Sequence, residues 1–104
     1  MLTLTGGVPD DVRAATTSFL AAMPSDEGGL RANDRVPLAD LLSTFTGAWT
    51  LNELGALERL DAEKVLGYAD EVRHPPGGFF GGLWDDRPDA EYTFYGLGVL
   101  GLFS

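Results

Sequence analysis

Small and apolar residues recur at three- and four-residue spacing near the start of the chain, at Val12, Ala15, Thr16, Phe19, Leu20 and Met23. That spacing lines one face of an α-helix. The stripe begins behind Asp10 and Asp11 and stops at Pro24, which cannot continue a helix. A second stripe, Val65, Leu66, Ala69 and Val72, follows Asp61 and ends at His74-Pro75-Pro76. Asp61 is suited to accept the free backbone N–H groups of a first turn. Both stripes predict helices with one wet face. The segments after them read differently. From Leu41 to Leu57 apolar residues fall on more than one face, with Phe45, Trp49, Leu51 and Leu54 among them, and from Tyr92 to the end there is no charge. A helix apolar all round is a buried one, so the pattern predicts two amphipathic helices alternating with two buried ones. No stretch alternates with the period of two expected of a half-buried strand.

The alternation is also a repeat. Displacing the chain by 49 residues places Gly28-Gly29-Leu30 on Gly77-Gly78-Phe79, Asp40 on Asp89, Thr44-Phe45 on Thr93-Phe94, Gly47 on Gly96 and Leu51 on Leu100. Seven of the 28 aligned pairs are identical, against about two expected from composition. Upstream of each Gly-Gly the letters differ but the pattern holds, with Thr16, Phe19, Leu20 and Met23 falling on Val65, Tyr68, Ala69 and Val72. Each unit therefore reads as helix, Gly-rich loop, helix: one domain over residues 1–104, with repeat 1 at about 10–57 and repeat 2 at about 61–104.

Charge and composition narrow the possible partners. The 104 residues carry a formal charge of −9, from 16 acidic against 7 basic side chains. Nucleic acid and anionic membrane both require clustered cations, so neither is an expected partner. Without cysteine there is no disulfide, thiolate metal site or cysteine nucleophile. Met1 to Gly6 has no basic segment or long apolar core, and the apolar run from Phe94 to Phe103 is about half a bilayer span. These features predict a soluble, cytoplasmic protein with no membrane span.

The recurring Gly-Gly-apolar step (aromatic at Phe79), polar loop, Asp and Thr-Phe opening of an apolar helix resembles the repeat of protein prenyltransferase β subunits and of class II terpene or squalene cyclases. It occurs twice, at Gly28 to Leu57 and at Gly77 to Ser104. The resemblance implies an all-α fold made of two α-hairpin repeats of the α/α toroid type. Amphipathic outer helices and buried inner helices are joined by Gly-Gly loops around an apolar cavity that receives isoprenoid chains. It also implies about half a dozen hairpins in a closed ring, and this chain has two. A repeat unit buries its apolar face on its neighbours, and fewer than about three stacked units are seldom stable alone. Three copies would supply six hairpins and close a ring head to tail. A larger partner carrying the missing repeats, or a self-contained four-helix bundle, are the other solutions.

The same resemblance nominates site residues. Asp89-Ala90-Glu91-Tyr92-Thr93-Phe94-Tyr95 is similar to the prenyltransferase segment in which an Asp and, two residues on, a Cys hold zinc; Glu91 stands in the cysteine's place. Asp89 and Glu91 are thus the metal candidates, since zinc accepts carboxylates. Asp40 occupies the place of Asp89 in the other unit, however, and one aspartate per repeat at a helix start is also what capping predicts. Asp85, Asp86 and Asp89 spell the DDxxD with which class I terpene synthases hold magnesium on a diphosphate, although Pro88 puts this motif in a loop where those enzymes have a helix. The DxDD of class II cyclases is missing. Gly96, Gly98 and Gly101 match GxGxxG but follow no strand, so they fit close packing between helices better than a dinucleotide.

A prenyl diphosphate needs cations and an apolar wall. Arg31, Arg35 and Arg87 lie in the two Gly-rich loops with Trp84 beside them, and Tyr92 and Tyr95 open the last helix. These six are the ligand-binding candidates, with surface pairing of the arginines to Asp34, Asp85 and Asp86 as the competing reading. Two functions follow. One is a non-catalytic binding or assembly module of the prenyltransferase and terpene-cyclase type that self-associates or joins a larger partner. The other is a minimal isoprenoid-processing enzyme completed by oligomerisation, using Asp85, Asp86 and Asp89 with Mg²⁺ or Zn²⁺. A piece of a longer toroid would give the same sequence pattern.

Overall fold

The computed structural model describes residues 8–73, 78–83 and 90–103. It contains four α-helices, α1 (Asp10–Ala21), α2 (Leu41–Glu53), α3 (Ala62–Glu71) and α4 (Ala90–Leu102), with a 3₁₀ turn at Leu57–Arg59 leading into α3. Among the described residues there are no strands, only two isolated β-bridges. The fold is all-α.

Local chemistry sets the helix ends. Asp40 caps α2 by accepting from the Ser43 N–H at 2.7 Å and the Ser43 hydroxyl at 2.8 Å. Asp61 caps α3, accepting from the N–H groups of Glu63 and Lys64. Asp10 and Asp11 do not cap α1: they lie in its first turn, after Pro9, where negative charge still favours the positive end of the helix dipole. The other end of α1 is closed by Arg31, whose guanidinium donates to the carbonyls of Met23 and Ala22 at 3.2 and 2.9 Å. Arg13 reaches from α1 to the Leu54 carbonyl at the end of α2, which aligns the start of one helix with the end of the other.

The 49-residue offset recurs in the backbone. The two bridges, Pro24 with Leu30 and Arg73 with Phe79, stand 49 residues apart at both partners. So do two hydrogen bonds, Arg31 N–H to Met23 at 3.0 Å and Phe80 N–H to Val72 at 2.8 Å. Helices α2 and α4 begin and end at the same offset. Each loop thus folds back so that its apolar residue, Leu30 or Phe79, is buried against the helix that follows.

The core lies between α2 and α4, the most extensive helix pairing, with α3 packed on α4 and α1 touching α2 only lightly. Leu30, Leu41, Leu51, Val65, Val72 and Val99 are almost wholly buried. Thr44 ties the first loop to α2, accepting from the Leu30 N–H at 2.9 Å while donating to the Asp40 carbonyl at 2.7 Å. The Leu41 N–H donates to the Gly81 carbonyl at 2.7 Å, which joins α2 to the loop of the second unit.

Two expectations about burial need correction. The α1 stripe does not face the core as a whole: Val12 is 48% and Phe19 52% exposed, while Met23 and Thr17 are buried. Nor is α4 buried all round, since Phe94 is 64% and Leu97 57% exposed. In both cases the cause is the same. The residues lie on helix faces that the described residues cover only in part, Phe94 meeting the Phe45 and Tyr95 rings, so an apolar pattern that anticipates a neighbour is left largely open.

Tyr68 is the largest fully buried side chain, and its hydroxyl has no hydrogen-bond partner among the described residues. Burial pushes its pKa well above the ordinary 10, and the charges of Glu27, Asp40 and Glu71 add to the effect. The native state holds this phenol protonated, whereas the unfolded chain releases the proton near the ordinary value. Its contribution to stability is therefore full below about pH 10 and declines as the pH rises beyond that. Urea midpoints measured between pH 8 and 11 are expected to fall above pH 10, and to fall less in Tyr68→Phe; an equal fall in both proteins would assign the effect to other groups.

Candidate functional site

The nominated residues that fall within the described segments lie in two places. Arg31 and Arg35 belong to the first loop, and Glu91, Tyr92 and Tyr95 to the first two turns of α4. Trp84, Asp85, Asp86, Arg87 and Asp89 lie outside the described residues, as does His74.

On α4 the helical spacing stacks residue 91 under residue 95, and the Tyr95 hydroxyl donates to Glu91 Oε1 at 2.6 Å. This hydrogen bond, more than partial burial or charge, holds the Tyr95 phenol above its ordinary pKa. Around Tyr95 three other aromatic rings gather. Phe45 of α2 stacks on it with centroids 5.7 Å apart and planes at 27°. Phe94 meets Phe45 edge to face at 5.7 Å and Tyr95 at 5.8 Å. Tyr92 tilts against Tyr95 at 6.4 Å. These are the offset and edge-on arrangements that ring quadrupoles favour.

Two glycines make the cluster possible. A side-chain carbon at Gly98 would clash with the Phe45 ring, so glycine lets α2 bring that ring onto α4. A carbon at Gly81 would meet the Tyr92 ring at 2.7–3.1 Å, which places Tyr92 over the second loop. Tyr92 and Tyr95, paired by the sequence as one ligand wall, thus serve different contacts: one covers the loop and the other joins Phe45.

Arg31 is engaged by the end of α1, as described above. It borders an open cleft of about 310 Å³ with Pro24, Ser25, Asp26 and Pro37. Arg35 is exposed further along the same loop, on a turn closed by its own N–H to Asn33 Oδ1 at 2.8 Å. The first-loop arginines and the α4 aromatics are thus held by separate local structures. Among the described residues no three His, Asp or Glu side chains gather in a metal-holding group.

The sequence did not point to Phe94 and Leu97 as exposed. They stand three residues apart on α4 and extend the aromatic cluster into an open apolar face. The only available signal was their repeat register, since each follows by 49 a residue on α2, Phe45 and Ala48. What this arrangement offers is recognition: an apolar, partly aromatic surface with one carboxylate–phenol pair at its edge. No helix among the described residues is long and apolar enough to cross a membrane. No protein-family model matches the chain, and no curated protein does.

Proposed function

We propose that this chain is a non-catalytic helical repeat module of the prenyltransferase and terpene-cyclase type, whose task is assembly: it self-associates or completes a larger partner. One observation carries the reading. Phe45 is partly covered, its ring against Tyr95 and Gly98 of α4, and Ala48 is wholly buried, while their counterparts 49 residues on, Phe94 and Leu97, are 64% and 57% exposed. An exposed apolar face in this register is suited to take a further repeat. Two of the groups that the family resemblance assigns to chemistry are held by structural contacts, Glu91 by Tyr95 and Arg31 by the end of α1, which favours assembly over catalysis.

The test is absolute mass by light scattering after size exclusion, over a concentration series. Self-association is expected as a mass that rises from 11.1 kDa to an integral multiple, with three copies supplying the six hairpins of a closed ring. Salt is expected to promote it, because each copy carries −9 and screening reduces the repulsion between copies. A mass of 11.1 kDa at every concentration and salt would refute self-association and leave the larger partner or a self-contained four-helix bundle.

A further inference from the structure

Inside the chain one seam between repeats is visible, and its two sides are chemically distinct. The trailing side of repeat 1 offers Gly29 in its loop and Phe45 with Ala48 on α2. The leading side of repeat 2 offers Tyr68 on α3 and Tyr95 with Gly98 on α4. They meet ring to gap in both directions. A carbon at Gly29 would lie 2.5–2.8 Å from three atoms of the Tyr68 ring, and a carbon at Gly98 would clash with the Phe45 ring.

The 49-residue correspondence shows that the chain also carries one unmatched copy of each side. The trailing side of repeat 2 is Gly78 with Phe94 and Leu97; one edge of it is taken up where Phe94 meets Phe45, yet both apolar side chains are more than half exposed. The leading side of repeat 1 is Phe19 on α1, at the place of Tyr68, with Thr46 and Trp49 on α2 at the places of Tyr95 and Gly98. Tyr68 is 0% exposed and Phe19 52%, so among the described residues Phe19 is the uncovered counterpart of a buried ring. These two open faces are the halves of a seam the chain already forms once.

We infer that a second copy of this chain occupies them, head to tail: Phe19 of one copy seats on the Gly78 loop of the other, as Tyr68 seats on Gly29, and Phe94 and Leu97 pack against the Thr46 and Trp49 side of α2. This rests on the self-association proposed above and specifies its faces and polarity. The intermolecular seam differs from the internal one in having Phe19 for Tyr68, Thr46 for Tyr95, Leu97 for Ala48 and, with the largest consequence, Trp49 for Gly98. Trp49 stands where Gly98 would be, so Phe94 meets an indole ring where Phe45 finds a gap, and the two helices stand further apart. The contact is accordingly looser than the internal one and reversible on dilution.

Phe19→Asp removes the leading face and Phe94→Asp the trailing face; both side chains are exposed in the single chain, and circular dichroism verifies that each variant folds. Leu97→Asp, at a 57% exposed position, replaces Phe94→Asp if that variant does not fold. Masses are read at a concentration where the parent associates. Each variant alone is expected at 11.1 kDa. Their equimolar mixture is expected to reach twice that mass and no more, because one intact seam per pair remains. If Phe19→Asp keeps the parent's mass while Phe94→Asp is monomeric, α4 pairs with α4 about a two-fold axis; the head-to-tail inference is then overturned while self-association stands. If both variants keep the parent's mass, other surfaces associate and the inference is again overturned. A parent that never associates refutes the reading on which the inference rests.

Discussion

Replacing Tyr68 with alanine is expected to cost about 3–5 kcal/mol, the range for deleting a buried aromatic ring that leaves a cavity. For a small domain this is a large share of a total of about 5–15 kcal/mol. The ring is 0% exposed and lies against Gly29, so nothing nearby is free to fill the space it leaves. Tyr68→Phe is expected to hold or raise stability at neutral pH, because the hydroxyl it removes has no partner among the described residues and its desolvation is offset by nothing. Urea denaturation followed by far-UV circular dichroism separates the two. Gly29→Ala alone should also destabilise, since its new carbon would lie 2.5 Å from the ring. Gly29→Ala with Tyr68→Ala should then cost less than the sum of the single changes, because the methyl enters space the ring has left. Strict additivity would show that ring and glycine do not act as one contact.

Much of this fold can be read from residue pattern alone. The helix starts at Asp40 and Asp61 were legible because a short acceptor side chain ahead of an apolar run has few other local roles. The stripe on α3 was legible because Val65, Ala69 and Val72 have a neighbour in the same chain and are buried. The stripe on α1 misled for the complementary reason. Periodicity reports which face a helix is built to bury, and says nothing about whether the neighbour that buries it belongs to the same chain. Val12 and Phe19 satisfy the pattern and remain exposed. Phe94 and Leu97 show the same limit on α4, where an all-apolar sequence reads as buried on every side.

The candidate site was less legible, because its parts depend on contacts between segments distant in sequence. Nothing in the letters around Arg31 says that its guanidinium will close α1, eight residues back at Met23. Tyr92 and Tyr95 sit one turn apart, yet one is drawn to Gly81 and the other to Phe45. The glycines of α4 were the more informative letters. Read as permitting close approach, Gly96 and Gly98 are where the rings of Phe79 and Phe45 come to rest, whereas at Gly101 an added carbon would meet nothing within 4 Å. A motif that spells a nucleotide fingerprint is thus explained at two of its three glycines by packing.

Gly96→Ala provides the sharpest test of whether the two repeats are built alike. The added methyl would clash with three atoms of the Phe79 ring, a rigid buried group that can move only as a whole. Overpacking of this kind costs about 1–3 kcal/mol, set against about 1 kcal/mol of helix propensity that alanine gains over glycine, so a net loss is expected. Gly47 is the same position in repeat 1, but there the nearest atom is Leu30 Cδ2 at 2.6 Å, the far end of a flexible side chain. Gly47→Ala is expected to be close to neutral for that reason. The difference lies in the partner, ring or branched chain, and it can be transferred. Phe79→Leu gives repeat 2 the pair found in repeat 1, and Gly96→Ala made in that background is expected to cost less than in the parent. Midpoints of urea unfolding for the four proteins of the cycle measure this coupling directly. An undiminished cost in the Phe79→Leu background would mean that the 49-residue register is shared by the backbones but not by the packing, and that the seam seen inside the chain is a poor guide to one formed between copies.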